Sequence, residues 1–71
     1  MTGTIIKLFT VKGYGFISAD GDGADAPQYF FFAGSLERTT CAFAQVKVGQ
    51  RVEFTGIDHQ KGLRAIEVRT L

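Results

Sequence analysis

The chain has 71 residues, of which 45% are hydrophobic and 21% charged, and its formal net charge is +1. This length suits one small domain over residues 1–71 with a modest core and excludes a second, and the composition is typical of a soluble globular protein. Because the chain has eight basic and seven acidic residues, its net charge is too small to bind a polyanion by charge alone, as a strongly basic domain does.

Five short segments have the residue pattern of β-strands, and no window of about eleven residues has a convincing helical period. The sequence DGDGADAP predicts a loop and DHQKG a shorter turn, and both connections suit antiparallel hairpins. The stretch 34–49 is the least regular, and we expect a short turn of helix near Ser35–Arg38. The predicted strands are Gly3–Phe9, Tyr14–Ala19, Gln28–Ala33, Gln50–Gly56 and Leu63–Arg69.

The short strands predict an all-β fold, a five-stranded antiparallel barrel. So small a chain cannot form two sizeable sheets, and a flat sheet would leave open edges. In the last two predicted strands, apolar residues alternate with polar ones, so each strand is expected to have one buried and one solvent-exposed face. The predicted core comprises Ile5, Ile6, Ile17, Val52, Phe54, Ile66 and Val68.

The segment KGYGFIS alternates aromatic residues with glycines. Since side chains two residues apart share a face, the two faces carry Lys12, Tyr14 and Phe16, and Gly13, Gly15 and Ile17. For an isolated strand, burial of the rings is the favoured interpretation. In a curled barrel, glycines on the concave face let neighbouring backbones approach, which favours rings on the outside.

The segment QYFFFA favours the second interpretation. Tyr29 and Phe31 share one face and Phe30 and Phe32 the other, so two rings stay outside whichever face is buried. The predicted core is already supplied with aliphatic residues, so exposed rings indicate a binding surface. This predicted aromatic cluster comprises Tyr14, Phe16, Phe30 and Phe32.

Exposed aromatic side chains with lysines at the edge of a sheet are typical of a stacking surface for single-stranded nucleic acid, because every base has a π-face. Each stacked base contributes roughly 1 to 3 kcal/mol, so four rings suffice for micromolar affinity with little help from charge. Duplex DNA fits poorly, because its bases are already stacked and the sequence predicts no recognition helix.

The same motifs resemble the bacterial cold-shock proteins. KGYGFI resembles the first ribonucleoprotein motif of that family, commonly KGFGFI, and QYFFFA resembles the second, commonly DVFVH. GTIIKLF, VGQRVEF and KGLRA are similar to the family's GTVKWF opening, EGQxVxF segment and KGPxA turn. The five matches follow the family order and cover nearly the whole chain.

The resemblance implies an OB-like barrel that binds single-stranded RNA and DNA with little sequence selectivity, as an RNA chaperone or a regulator of transcription or translation. Three predicted contacts depart from the family: Leu8 replaces tryptophan, Phe32 replaces histidine and Gln28 replaces aspartate. We expect lower affinity from the first change, and lower base preference and pH sensitivity from the second. The family contact positions matched directly are Lys7, Phe9, Lys12, Tyr14, Phe16 and Phe30.

Several assignments stay open. Leu8 and Phe9 are neighbours, so strict alternation exposes only one of them unless the strand bulges. Phe43 aligns with a loop aromatic that contacts bases in the family, and it could equally pin the loop to the barrel. Lys61 is also a predicted nucleic-acid contact, because it belongs to the KGLRA segment that resembles the family's KGPxA turn. The other basic side chains considered are expected to be merely solvated: Arg38, Lys47, Arg51 and Arg69.

Catalysis and metal binding are not expected. His59 and Cys41, the only histidine and cysteine, lie in separate irregular segments without the spacing of a nucleophile and base, so His59 is interpreted as a turn residue. The acidic stretch at 20–25 lacks the order of an EF-hand and predicts a polar hairpin loop. We therefore predict no enzyme, no metal and no cofactor.

A protein-interaction barrel is the alternative from another class. Its aromatic cluster would dock a peptide or a second copy of the chain, and the chain would be a monomer or a domain-swapped homodimer. The absence of tryptophan and the near-neutral charge support it, whereas Lys7 and Lys12 beside the rings favour nucleic acid. The lack of a signal sequence or spanning segment, together with the single Cys41, predicts a cytoplasmic location without membrane attachment.

Overall fold

Strand pairing closes the chain into a barrel. The computed structural model describes residues 1–21, 26–35, 46–60 and 62–71. The strands are β1 (Thr2–Phe9), β2 (Tyr14–Ala19), β3 (Gln28–Phe32), β4 (Arg51–His59) and β5 (Gly62–Thr70). They pair in the order β1-β2-β3-β5-β4, and a short 3-10 turn, Ala33–Ser35, follows β3.

The predicted all-β barrel is confirmed, with differences at its ends. Both predicted hairpins are antiparallel, and the β3–β5 contact is parallel through the pair Phe30 and Arg64. β4 extends past the predicted end at Gly56 as far as His59, so the turn to β5 is shorter than expected. The predicted helical turn begins at Ala33, before Ser35, and residues 36–38 of that prediction lie outside the described residues.

Two irregularities make part of the predicted core wrong. In β1 the register shifts between Ile5 and Lys7, so the bulge leaves Ile6 only half-buried. In β5, Glu67 adopts a left-handed φ of 52° beside a second register shift, which places Ala65 in the core in place of Ile66. The buried apolar side chains are Ile5, Ile17, Ala19, Tyr29, Phe31, Val46, Val52, Phe54, Ala65 and Val68.

Gly15 occupies the concave face as predicted. A Cβ atom at this position would lie 2.6 Å from the Lys7 carbonyl oxygen and 2.9 Å from the Phe31 ring, so only glycine lets β1 and β3 approach β2 this closely. The prediction that Gly13 shares this face is wrong. Gly13 lies in the turn before β2 with a φ of 78°, where glycine is favoured for its backbone conformation.

An ion pair joins the ends of three strands on the outside of the barrel. Arg51 donates hydrogen bonds to both carboxylate oxygens of Asp20, at 2.6 and 2.5 Å, and to the hydroxyl of Thr4. The hydroxyl of Thr2 also donates to Asp20. The bonds from Arg51, then that from Thr2, hold the pKa of Asp20 well below its usual range. The prediction that Arg51 is merely solvated is therefore wrong.

We expect Gly15→Ala to destabilise the protein by about 1 to 3 kcal/mol, because the added methyl group must push against a backbone carbonyl. Gly34→Ala is the matched control, since a Cβ atom there meets nothing within 4 Å, and we expect it to change stability by less than about 0.5 kcal/mol. Chemical denaturation followed by circular dichroism measures both. Equal stabilities for the two variants would contradict the close approach at Gly15.

The Asp20 ion pair predicts a pH-dependent effect of Asp20→Asn. Because the folded pKa is lowered, the carboxylate stabilises the fold above its unfolded pKa of about 3.9 and loses this contribution as the pH falls toward the folded value. The pair is exposed, so we expect a small decrease in Tm at pH 7 that shrinks toward pH 2. Asp58→Asn, at another exposed carboxylate, is the control, and the same pH-dependent decrease there would refute a specific role for the pair.

Candidate nucleic-acid interface

Outward-facing residues of three adjacent strands form a continuous aromatic surface. Directly paired residues of antiparallel strands share a face, and the pairs Phe9 with Tyr14 and Phe16 with Phe30 alternate with inward-facing Gly15. Tyr29 and Phe31 are buried, as expected if the other rings of β3 point outward. We call this surface the aromatic face, and its rings are Phe9, Tyr14, Phe16, Phe30 and Phe32.

The rings of the aromatic face contact one another in sequence. Phe9 stacks on Tyr14 with centroids 4.8 Å apart, and Tyr14 lies 5.2 Å from Phe30. Phe16 and Phe32 both meet Phe30 edge to face, at 5.6 and 4.6 Å. Phe9 is 39% and Phe32 45% exposed, while the rings between them are half-buried. The neighbours fix the ring orientations and leave part of each ring open to a ligand.

Leu8 does not lie on the aromatic face. It pairs with inward-facing Gly15 and packs against the hydrophobic core, whereas Phe9 points outward. The structure thus decides between the two neighbours in favour of Phe9. The register shift upstream places Lys7 opposite Phe16 and so on the outward side of β1. The predicted base contact of Leu8 has no support from this geometry.

Two lysines lie at the border of the aromatic face, as the sequence predicted. Lys7 is exposed beside Phe16, and Lys12 is exposed in the turn that connects β1 to β2. The backbone N–H groups of Lys12 and Gly13 both donate to the Phe9 carbonyl, at 3.1 and 2.8 Å, which tightens this turn next to the rings. The predicted contacts Phe43 and Lys61 lie outside the described residues.

A groove continues the aromatic face toward the β4–β5 hairpin. It encloses about 600 Å³, and the guanidinium carbon of Arg64 lies 5.1 Å from the centroid of the Phe32 ring. The predicted contact Gln28 also lines it. The prediction that His59 is a turn residue is wrong, because His59 ends β4 at the groove. The lining residues are Phe16, Gln28, Phe30, Phe32, His59, Gly62, Leu63 and Arg64.

Arg64 is the main groove residue that the sequence did not predict. It is the variable position of the KGLRA segment, three residues after the predicted contact Lys61. That proximity was a usable signal, but the parallel β3–β5 pairing that brings Arg64 to Phe30 and Phe32 could not be deduced from the pattern. Within the described ranges there is neither a cluster of three potential metal ligands nor a helix long and apolar enough to cross a membrane.

Residues 1–71 match the family model of the 'cold-shock' DNA-binding domain. The chain belongs to this cold-shock domain family. The resemblance to cold-shock proteins and the barrel fold are therefore confirmed, and membership makes the chain a nucleic-acid-binding domain. The aromatic face supplies a surface suited to that activity.

Curated relatives and a solved structure agree with this assignment. The chain is 36% identical over 70 residues to "Cold shock-like protein CspA" of Stigmatella aurantiaca, which covers 99% of this chain and 96% of the relative. It is 35% identical over 71 residues to the protein of the same name from Vibrio cholerae serotype O1, covering 100% and 94%. The structure "drosophila Unr CSD456" superposes with a TM-score of 0.73 at 28% identity over 99% of this chain, which spans only 26% of that longer chain.

The opposite orientations of Leu8 and Lys7 predict different environments for a tryptophan at each position. The chain has no tryptophan of its own, so an introduced one is an unambiguous fluorophore. We expect Leu8→Trp to give blue-shifted emission and to cost about 1 to 3 kcal/mol of stability, because the ring must enter the packed interior. Lys7→Trp is the paired variant, with solvent-exposed emission and near-normal stability. If Lys7→Trp instead gave blue-shifted emission and lost stability, while Leu8→Trp gave solvent-exposed emission, the register assigned to β1 would be wrong.

Proposed function

We propose that the protein binds single-stranded RNA and DNA by stacking unpaired bases on the aromatic face, with little overall sequence selectivity. One observation carries the proposal: the rings of the aromatic face lie outside the barrel, while Tyr29, Phe31 and Phe54 fill its interior. The outer rings are therefore not needed for the core, and an exposed apolar surface of this kind indicates a partner.

The energetics of stacking fit a nearly neutral protein. A base stacked on an aromatic side chain contributes about 1 to 3 kcal/mol, and this contribution depends little on which base is present. Lys7 and Lys12 can neutralise phosphates at the border of the rings, but a net charge of +1 provides no broad basic surface. We therefore expect binding with only a shallow dependence on salt.

Single strands suit the aromatic face better than duplexes do. In a duplex the base faces are covered by their neighbours, whereas a single strand can turn its bases onto the rings. The described residues form strands and one short 3-10 turn, with no helix to enter a major groove.

A weakly selective binder of this kind favours unpaired conformations of its ligand by mass action, because it binds the open form and not the duplex. This supports a role as an RNA chaperone or as a regulator of transcription or translation, as the "Cold shock-like" names of the relatives also suggest. We place this role in the cytoplasm, consistent with a lone cysteine, and propose no catalytic activity. The chain would act as a monomer or as a domain-swapped homodimer.

We expect the double variant Phe16→Ala plus Phe30→Ala to bind single strands about ten- to a hundredfold more weakly than the wild type, because two stacking surfaces are lost. Fluorescence anisotropy of labelled pyrimidine-rich and purine-rich heptamers at two salt concentrations measures the loss, and circular dichroism confirms that the variant is folded. Val48→Ala plus Leu71→Ala is the control, since it truncates two exposed apolar side chains away from the aromatic face.

Two results would refute the proposal. The first is a wild-type protein that fails to bind any single strand at tens of micromolar. The second is a folded double variant that binds as tightly as the wild type. Either would favour the alternative in which the aromatic face docks a peptide or a second copy of the chain, and analytical ultracentrifugation would then test for self-association.

A further inference from the structure

The groove beside the aromatic face contains Arg64, whose guanidinium has no hydrogen-bond partner among the described residues. Arg64 follows Leu63, which packs against the core, and precedes buried Ala65, so it points away from the interior. Its parallel pairing with Phe30 places it beside β3, and its guanidinium lies over the Phe32 ring at 5.1 Å. A cation over an aromatic ring is attracted electrostatically, which restricts the half-buried side chain to this wall of the groove.

The guanidinium of Arg64 makes no ion pair or hydrogen bond within the described part of the chain. By contrast, Arg51 is paired with Asp20, and Arg69 lies 3.8 Å from Glu53. A guanidinium carries five N–H donors in a planar fork and no acceptor. Most of the groove wall is apolar, and no carboxylate lines it among the described residues. These donors are therefore available to a ligand that offers acceptors.

The donor geometry discriminates among the bases. Guanine presents two adjacent acceptors, O6 and N7, to a bidentate arginine, whereas adenine presents one acceptor beside an amino donor. Thymine and uracil offer isolated carbonyl oxygens. Cytosine offers adjacent O2 and N3 acceptors, but its single ring covers less aromatic surface than a purine. The fork of Arg64 together with the neighbouring ring faces thus favours guanine.

Gln28 supplies an adaptable second partner in the groove. Its side-chain amide is exposed at the start of β3 and lines the same groove as Arg64. An amide has both a carbonyl acceptor and an NH₂ donor, so it can accept from the N–H groups on the Watson–Crick edge of guanine while arginine donates to the other edge. Since Gln28 can serve several bases, Arg64 determines the preference.

We propose that this groove binds one guanine base of the single strand, with Arg64 donating hydrogen bonds to O6 and N7. The proposal rests on the proposed function, because the guanine must belong to a strand that stacks on the aromatic face. It adds a preference at one nucleotide to binding that is otherwise tolerant of sequence.

The test compares thymine heptamers with heptamers in which the central base is guanine, adenine or cytosine, by fluorescence anisotropy. We expect the wild type to bind the guanine heptamer about five- to a hundredfold more tightly than the other three. Arg64→Ala reduces this preference to within about twofold, because it weakens binding of the guanine heptamer more than binding of the thymine heptamer. Arg64→Lys, which keeps the charge but not the planar fork, also loses the preference. Arg69→Ala is the control, because it removes a cation of the same strand that lies outside the groove. We expect this variant to retain the guanine preference.

The outcomes separate the two proposals. If the wild type binds no heptamer, the proposed function fails and the guanine site fails with it. If the wild type binds all four heptamers equally, prefers adenine or cytosine, or keeps its guanine preference in folded Arg64→Ala, only the guanine site is overturned. A uniform loss of affinity for all four heptamers in Arg64→Ala, with a shallower salt dependence, would instead identify Arg64 as a phosphate contact and would also overturn the guanine site.

Discussion

The close packing of three strands around Gly15 is the constraint on which the rest of the structure depends. With no side chain at this position, the Lys7 carbonyl and the Phe31 ring can approach the backbone of β2. The inward side of β2 then accommodates Ile17 in the core and Phe31 from β3, and the neighbouring Tyr14 and Phe16 must point outward. The interior packing thus determines which aromatic residues remain available at the surface.

The aromatic surface combines two physical requirements. Contacts between neighbouring rings orient the side chains before any ligand binds. The protein side chains therefore lose less conformational entropy when a strand of nucleic acid binds. In the proposed function, stacking also supplies the binding affinity that a strongly basic domain would obtain from its positive charge. The position that matches the family tryptophan holds Leu8, which packs inward, so the proposed stacking area consists of Phe9 and the outward rings of β2 and β3.

The sequence predicted the parts of the fold and interface that follow from alternation within a strand. The division of β2 and β3 into two faces required only a period of two, but alternation by itself did not determine whether Phe30 or Phe31 points outward. The departures at Ile6 and Ile66 follow from bulges, which depend on pairing with another strand and have no clear local signal here. The family match alone placed Leu8 at the interface, whereas the direction of its side chain depends on the register of β1, which the match does not contain. Arg64 and His59 reach the groove through the β3–β5 contact and the extension of β4, which alternation does not encode.

Direct observation of base-to-ring contacts tests the central claim most sharply. The measurement is isotope-filtered nuclear Overhauser spectroscopy on a complex between protein with labelled phenylalanine rings and an unlabelled thymine heptamer. We predict cross-peaks between base protons and the rings of Phe16, Phe30 and Phe32, with upfield shifts of the base protons from ring currents. A saturated complex in which these rings show no contact with bases, while other surfaces of the barrel do, would contradict the account.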